Sequence, residues 1–399
     1  MIWDVAIVGA GPAGLSAALF LVAEAPRLAG RVLVLERSRH PRDKTCAGAI
    51  GDRAERLLRD IGVDVDVPSS PLRGFAVTAA GRTLVVRGDR VVGRVVRRRE
   101  FDAQLAEVAL SRGIVIREGA TVRGLCVHRD GVDVDVDGEP LRARIVVGAD
   151  GVGSIVRRAL GFPRGKLVAQ AAEIDTERTP ADCGEDILHF DLSDPDLRGY
   201  AWDFPTPLDG AVRACRGVYD LRVDRGVDAG GRRGELSASE RLVRRLGDTT
   251  RLGPIKRFAE RGLDWHEPMS APRILLAGEA AGIDPVLGEG IAQAIYYGQN
   301  VARYVAPRLA SDRLEFSDWR AFVRRSRLGL DLTARAAAIP LVYGPGRRSL
   351  ERWVTQSPAL ARAGLSYFAG RYVSRLDLGR AALDLSRALL RGRARSYLD

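Results

Sequence analysis

A chain of 399 residues with 46% hydrophobic residues is long enough for two or three packed units and has ample apolar material for a core. Its 44 glycines and 19 prolines follow no three-residue period, and four scattered cysteines are too few to staple a secreted scaffold, so collagen-like and disulfide-scaffold classes fall away. No apolar run approaches the roughly 20 residues of a membrane span.

The formal charge of +11 is carried by 59 arginines and three lysines, a preference that points to codon composition and not to nucleic-acid binding. From Pro307 to Asp399, eighteen arginines face eight acidic residues, so the preceding part is almost neutral. Such a basic end suits solvated helix faces, and it is also compatible with an anionic lipid surface or an acyl-carrier partner. The start, Met1-Ile2-Trp3-Asp4, has no basic targeting stretch, so a cytoplasmic location is expected, with peripheral membrane contact left open. The cysteines and four histidines form no cluster of metal-ligand spacing.

In chain order, Asp4 to Val8 reads as a short buried strand, Gly9 to Gly14 as a turn, Leu15 to Ala25 as a helix and Arg31 to Glu36 as a second strand. This is a β-α-β unit. A punctuated loop over Pro41 to Gly51 follows, then a helical pattern through Leu57, Leu58 and Ile61, a hairpin from Phe75 to Val86, and a helix over Phe101 to Ser111. Strands are expected at Ile114 to Arg117, Val122 to His128, Val132 to Val136 and Ile145 to Val147. From Lys166 to Phe258 alternating strands, including Ile187 to Leu192, Tyr200 to Phe204 and Val212 to Leu221, predict a second, mostly antiparallel sheet. A buried strand at Arg273 to Leu276 leads to a helix over Ile291 to Tyr304. The last ninety residues read as helical, with Leu376, Leu383 and Leu390 spaced by sevens and a break at Gly344-Pro345-Gly346.

Three glycine turns carry the chemistry. In Gly9-Ala10-Gly11-Pro12-Ala13-Gly14, Gly9 permits the tight turn, Gly11 lets backbone approach a pyrophosphate, and Gly14 lets helix and strand pack closely. Glu36, at the end of the second strand, is placed to accept hydrogen bonds from ribose hydroxyls. Gly148-Ala149-Asp150-Gly151 and Gly278-Glu279-Ala280-Ala281-Gly282 each follow a strand, and Asp284-Pro285-Val286-Leu287-Gly288-Glu289-Gly290-Ile291 precedes a helix.

The three turns resemble the fingerprints of flavoproteins of the p-hydroxybenzoate hydroxylase superfamily. Asp43-Lys44-Thr45-Cys46-Ala47-Gly48 resembles the K-x-C-G-G loop of the geranylgeranyl reductase family, and Gly199-Tyr200-Ala201-Trp202-Asp203-Phe204-Pro205 resembles its Y-x-W-x-F-P signature. The closing segment is similar to N-P-L-x-G-E-G-I. The resemblance covers about residues 1 to 305 and departs from the family at Ala47, Glu279 and Asp284. It implies an α/β fold: a Rossmann-type FAD-binding domain from 1–70, 99–165 and 271–306, an inserted mostly antiparallel substrate domain from 71–98 and 166–270, and a basic helical C-terminal segment, 307–399.

By the same resemblance, the FAD contacts are Gly9, Gly11, Pro12, Ala13, Gly14, Glu36, Arg37, Cys46, Ala47, Arg98, Val122, Asp150, Gly151, Gly278, Glu279, Pro285, Gly288, Gly290 and Ile291. Arg98 opens an Arg-Arg-Glu-Phe-Asp segment and is either a flavin contact or one of an exposed arginine pair. Tyr200, Trp202 and Phe204 share one strand face, a candidate wall of an apolar substrate pocket or simply core. The implied activity is hydride transfer from reduced flavin to a C=C of an isoprenoid or similar long apolar substrate, with NAD(P)H or another reductant as transient donor. A hydroxylating or epoxidising monooxygenase is the alternative. Cys46 is read as proton donor, flavin-facing wall or plain loop residue. Lys44 nearby would favour its thiolate and weaken the donor role.

Overall fold

A computed structural model describes residues 2–165, 167–223, 236–284, 286–344, 347–371 and 373–395. The first unit forms as its sequence requires. Ile2–Val8 and Val32–Glu36 pair in parallel, and the alanine-rich helix Pro12–Glu24 joins them with its core-facing side chains fully covered.

The eight-stranded sheet runs Ser270–Ala271, Ile274–Leu276, Glu139–Gly148, Ile2–Val8, Val32–Glu36, Val115–Glu118, with Val122–Val127 and Val132–Val136 attached to Glu139–Gly148 as an antiparallel meander. Four neighbouring strands are parallel and in register at their C-terminal ends: Val8 lies beside both Leu35 and Gly148, and Gly148 beside Leu276. The three glycine turns therefore leave the same edge of the sheet, where ligands of open α/β sheets bind. The helix Ile291–Ser311 lies along Pro12–Glu24, and close approach is possible because a Cβ at Gly298 would sit 2.2 Å from Ser16 Oγ.

A seven-stranded sheet follows the order Lys256–Arg261, Leu167–Thr176, Ala211–Val223, Gly199–Leu208, Ile187–Asp191, Gly74–Ala79, Arg82–Arg87. It is antiparallel except where Ile187–Asp191 runs parallel to Gly74–Ala79. That pairing brings the expected hairpin at 74–87 into the second sheet across a gap of a hundred residues. Local periodicity carries no information about such a contact.

Several expectations are corrected. The punctuated loop over 41–51 ends in a strand, Ala49–Gly51, which with Gly93–Val96 and Ser69–Leu72 makes a third, three-stranded sheet. The helix expected to end at Tyr304 runs through Pro307 to Ser311. Leu376 and Leu383 are exposed, so their spacing by sevens marks no buried seam. Cys126 is exposed because its strand lies at the sheet's margin, whereas Cys215 is buried. Among the described residues no helix is long and apolar enough to cross a membrane.

The C-terminal helices Trp319–Arg325, Arg327–Val342, Arg347–Gln356, Pro358–Phe368 and Arg375–Arg395 do not stand apart as a tail. Phe368 packs edge-on against Phe75, centroids 5.7 Å apart, and Arg56 donates to the Ala369 and Gly370 carbonyls. Several arginines there are structural: Arg335 pairs with Asp284, Glu289 and Asp331, and Arg347 with Glu351 and three backbone carbonyls.

Candidate active site

Between the parallel sheet, the inner face of the second sheet and the C-terminal helices lies one cavity of about 1080 Å³. That is at or above the upper end of ordinary small-molecule sites, with room for a dinucleotide and a second molecule. Of the residues named from the sequence, Gly9, Gly11, Pro12, Ala13, Glu36, Arg37, Cys46, Ala47, Arg98, Val122, Asp150, Gly151, Tyr200, Trp202, Phe204, Gly278, Glu279, Gly288, Gly290 and Ile291 all line it. Gly14 does not. It packs beneath the first turn, where a Cβ would fall 1.9 Å from the Gly9 carbonyl oxygen. Pro285 lies outside the described residues.

The three turns touch. Gly9, with φ +102°, would set a Cβ 2.5 Å from the Ala149 carbonyl oxygen; Gly278, with φ +61°, would set one 2.7 Å from Ala13 Cβ. Glu36 is buried, accepting from Ala10 N–H at 2.9 Å and Ser38 N–H at 3.0 Å. Arg42 and Arg98 each bring an Nη2 to 3.7 Å from where a Cβ on Gly11 would stand, so two guanidinium groups flank the bare backbone of the first turn. Arg98 lines the cavity and Arg99 is exposed, so the two do not form an exposed pair. Arg98 forms a two-pronged ion pair with fully buried Asp102, both contacts 2.7 Å. Burial opposes the Arg98 charge, and Asp102 outweighs it, holding the pKa above its usual value.

Asp150 accepts from Ile155 and Val156 N–H at 2.7 and 3.2 Å, while its other oxygen, Oδ1, is buried without a partner among the described residues. Glu279 spends its extra methylene on an internal bond: its Oε2 accepts from Val152 N–H at 3.2 Å, joining the third turn to the second. Burial pushes the Glu279 pKa up, and Lys44 and Arg98 pull against it. The departure at Asp284 is matched by Arg335, which pairs with it, and Val286 N–H donates to Asp284 Oδ1 at 2.8 Å. At Ala47 the side chain is tolerated, because the strained residue of that loop is the next one: Gly48 has φ +79° and a Cβ there would meet the Val96 carbonyl oxygen at 1.9 Å.

The aromatic stripe lies where its strand register puts it. Tyr200 pairs with Tyr219, Trp202 with Gly217 and Phe204 with Cys215, all on the cavity face, while Asp203 points away to Arg216, Arg245 and His189. The Trp202 ring lies over Gly217, where a Cβ would come within 2.0 Å of Cζ2. Phe190 meets Tyr200 and Phe204 at 5.4 and 5.2 Å, edge-on.

Matching residues 3–312, the family model described as FAD binding domain covers most of the chain. The digeranylgeranylglycerophospholipid reductase 1 of Methanopyrus kandleri is 30% identical over 349 residues, 82% of this chain and 85% of that protein. The rifampicin monooxygenase of Streptomyces venezuelae is also 30% identical, over 76% of this chain and 64% of its own length. A geranylgeranyl bacteriochlorophyll reductase-like protein from Thermoplasma acidophilum superposes with a TM-score of 0.74 at 19% identity, covering 95% of each chain.

The chain belongs to the geranylgeranyl reductase family of FAD-dependent oxidoreductases.

The residues present fit the cofactor of this flavoprotein family: an orphaned buried carboxylate oxygen at Asp150, bare glycine backbone at three touching turns, and two arginines beside the first. This flavoprotein also holds site residues that its sequence does not advertise. Glu173, Tyr219, Phe258 and Glu260 line the cavity from the inward face of the second sheet; Tyr343, Leu350, Val354, Tyr367 and Phe368 close it from the C-terminal helices. Only strand parity hints at the first group, and it becomes readable once the register is known.

Cys46 lines the cavity and is partly exposed. Burial pushes its thiol pKa up; Arg98 pulls down, but the net direction is up. This corrects the expected thiolate bias from Lys44, whose ammonium instead lies 3.1 Å from the Phe258 ring centroid and whose own pKa is lowered by burial. Cys46 N–H donates to Glu173 Oε1 at 2.9 Å, and burial carries Glu173 up to about 7.

Proposed function

We propose that this flavoprotein saturates a C=C of a long apolar, isoprenoid-like substrate, and that the residues named above from the sequence hold its FAD and substrate. The single observation that carries this reading is the position of the Cys46 thiol, in the cavity wall shared by the glycine turns and the aromatic sheet face. The similarity to digeranylgeranylglycerophospholipid reductase supports it.

Reduced flavin, when bound, supplies a hydride from N5. The chain's own residues do the rest. The turns at Gly9, Gly151 and Gly278 would hold the dinucleotide, Glu36 its ribose, and Arg42 and Arg98 its diphosphate charge. Tyr200, Trp202, Phe204 and Phe190 exclude water and align the apolar chain, each buried ring contributing roughly 1.5 to 3 kcal/mol. Cys46 Sγ, protonated because burial disfavours its thiolate, holds the proton that the second carbon requires. NAD(P)H is the proposed reductant. The division into an FAD-binding domain, a substrate domain and a C-terminal segment belongs to the same proposal, the last serving as cavity wall. Peripheral contact with a membrane or carrier through the basic segment remains part of it.

The test reduces the FAD-loaded protein without oxygen in the presence of a polyprenyl substrate and follows product mass. Gain of two hydrogens per bond is expected. Turnover that waits for oxygen and adds an oxygen atom would replace the reading with a monooxygenase, as the rifampicin monooxygenase similarity would then favour.

A further inference from the structure

The cavity is apolar along most of the second sheet, yet beside Gly288 two side chains of that sheet carry a polar group with no partner. Glu260 Oε2 and the Tyr219 hydroxyl are both shut off from solvent and bond to nothing among the described residues. Both project from the cavity face: Glu260 follows Phe258 by two along Lys256–Arg261, and Tyr219 pairs with Tyr200. They converge on Gly288. A Cβ added there would lie 2.7 Å from Glu260 Oε2 and 2.8 Å from Tyr219 Cε2. Tyr219 is held in place by stacking on Tyr200, centroids 5.4 Å apart and planes 22° apart, and Tyr200 in turn donates to the Leu287 carbonyl.

A buried polar group without a partner costs about 1 to 3 kcal/mol, so two side chains with such groups beside one glycine point to a ligand that bonds to them. Its charge can be read from the surroundings. Glu260 is faced by Glu279 and Asp284 as well as Lys44, and burial together with the two carboxyl groups holds it protonated well above the ordinary carboxylate range. Tyr219 is likewise held as a neutral phenol, by burial first and Glu260 next. Two O–H donors suit an uncharged acceptor oxygen.

We infer that Glu260 and Tyr219 form a two-donor site for a carbonyl oxygen on the substrate, beside Gly288 in the cavity that Cys46 also lines. This rests on the reading of the cavity as a substrate site and deepens it. The preferred substrate carries a carbonyl near the bond to be reduced, and its long apolar part runs along Tyr200, Trp202 and Phe204. Glu260 and Tyr219 are specificity-determining residues, distinct from the proton held by Cys46.

The experiment needs no turnover, so its failure is separable from failure of the reductase reading. Oxidised FAD-loaded protein is titrated with geranylacetone and with the hydrocarbon in which a CH2 replaces its C=O, and binding is followed by quenching of tryptophan fluorescence. The ketone is expected to bind about tenfold more tightly. Glu260→Leu and Tyr219→Phe should each erase most of that preference while leaving the hydrocarbon's affinity within about twofold, and Glu260→Gln, whose amide still donates, should keep part of it. FAD content should be unchanged in Glu260→Gln and Tyr219→Phe. Equal binding of ketone and hydrocarbon, or a preference that survives both Tyr219→Phe and Glu260→Gln at full strength, overturns the inference. Loss of FAD from either conservative variant also overturns it, because the two groups then serve the cofactor.

Discussion

Replacing Cys46 by alanine removes the proposed proton donor and leaves the glycine turns untouched. Turnover should fall by about 10² to 10⁴, as for loss of a positioned acid, with the yellow FAD absorbance intact; unchanged turnover would end the donor role. Because the thiol pKa is raised, the wild-type rate should hold through neutral pH and decline only above the ordinary thiol value of about 8.5, and that alkaline limb should vanish in the variant. Glu173 gives a separate pH signature. Its folded pKa of about 7 lies above the reference 4.5, so its contribution is fully present below about 4.5 and is lost as pH rises through 7. Glu173→Gln should flatten that loss, worth about 3 kcal/mol, in thermal midpoints measured across pH 4 to 8. At this scale the sequence shows which residues are reactive but not their states. Lys44 beside Cys46 reads as favouring a thiolate, whereas the structure turns the lysine onto a phenylalanine ring and burial pushes the thiol pKa up.

Among the elements, the strand Ala211–Val223 sets the cavity's width. Gly217 is the one place where the Trp202 ring can lie flat on backbone, so Gly217→Val should drive the indole into the cavity and weaken substrate binding at least tenfold with FAD retained; calorimetric titration would read this. Gly278→Ala acts on the cofactor instead. It combines a positive φ with a Cβ 2.7 Å from Ala13, and the purified protein should lose FAD. The β-α-β unit and the three turns were legible because each is a local pattern: a strand, a glycine run, a helix. The aromatic face of Gly199–Leu208 was legible for the same reason, through period-two alternation. The parallel pairing of Gly74–Ala79 with Ile187–Asp191 was not, since nothing in either segment records a partner a hundred residues away. Glu173 and Glu260 stayed hidden too, charged residues whose facing direction depends on the pairing of Leu167–Thr176 with Ala211–Val223 and with Lys256–Arg261.

Across the whole molecule, a buried network ties cofactor loop to C-terminal helices: Arg335 meets Asp284 and Glu289, Arg53 also meets Glu289, and Arg53 donates to Tyr367 at 2.5 Å. Arg335→Ala leaves two buried carboxylates short of a cation and should cost about 3 to 5 kcal/mol, seen as a lowered thermal midpoint and faster FAD release. Charge counting describes the segment after Pro307 only as basic. Several of those arginines are partners of acids and carbonyls elsewhere, a fact that composition cannot express.

Leu350, Val354 and Phe368 line the cavity from the C-terminal helices, so on the proposed reading these helices bound the length of substrate it takes. A bulkier residue at Val354 would shift the preferred prenyl length downwards, and a smaller one at Phe368 upwards, with the reacting end unaffected. Relatives sharing the same glycine turns could thus diverge in chain-length choice by changing only their last hundred residues.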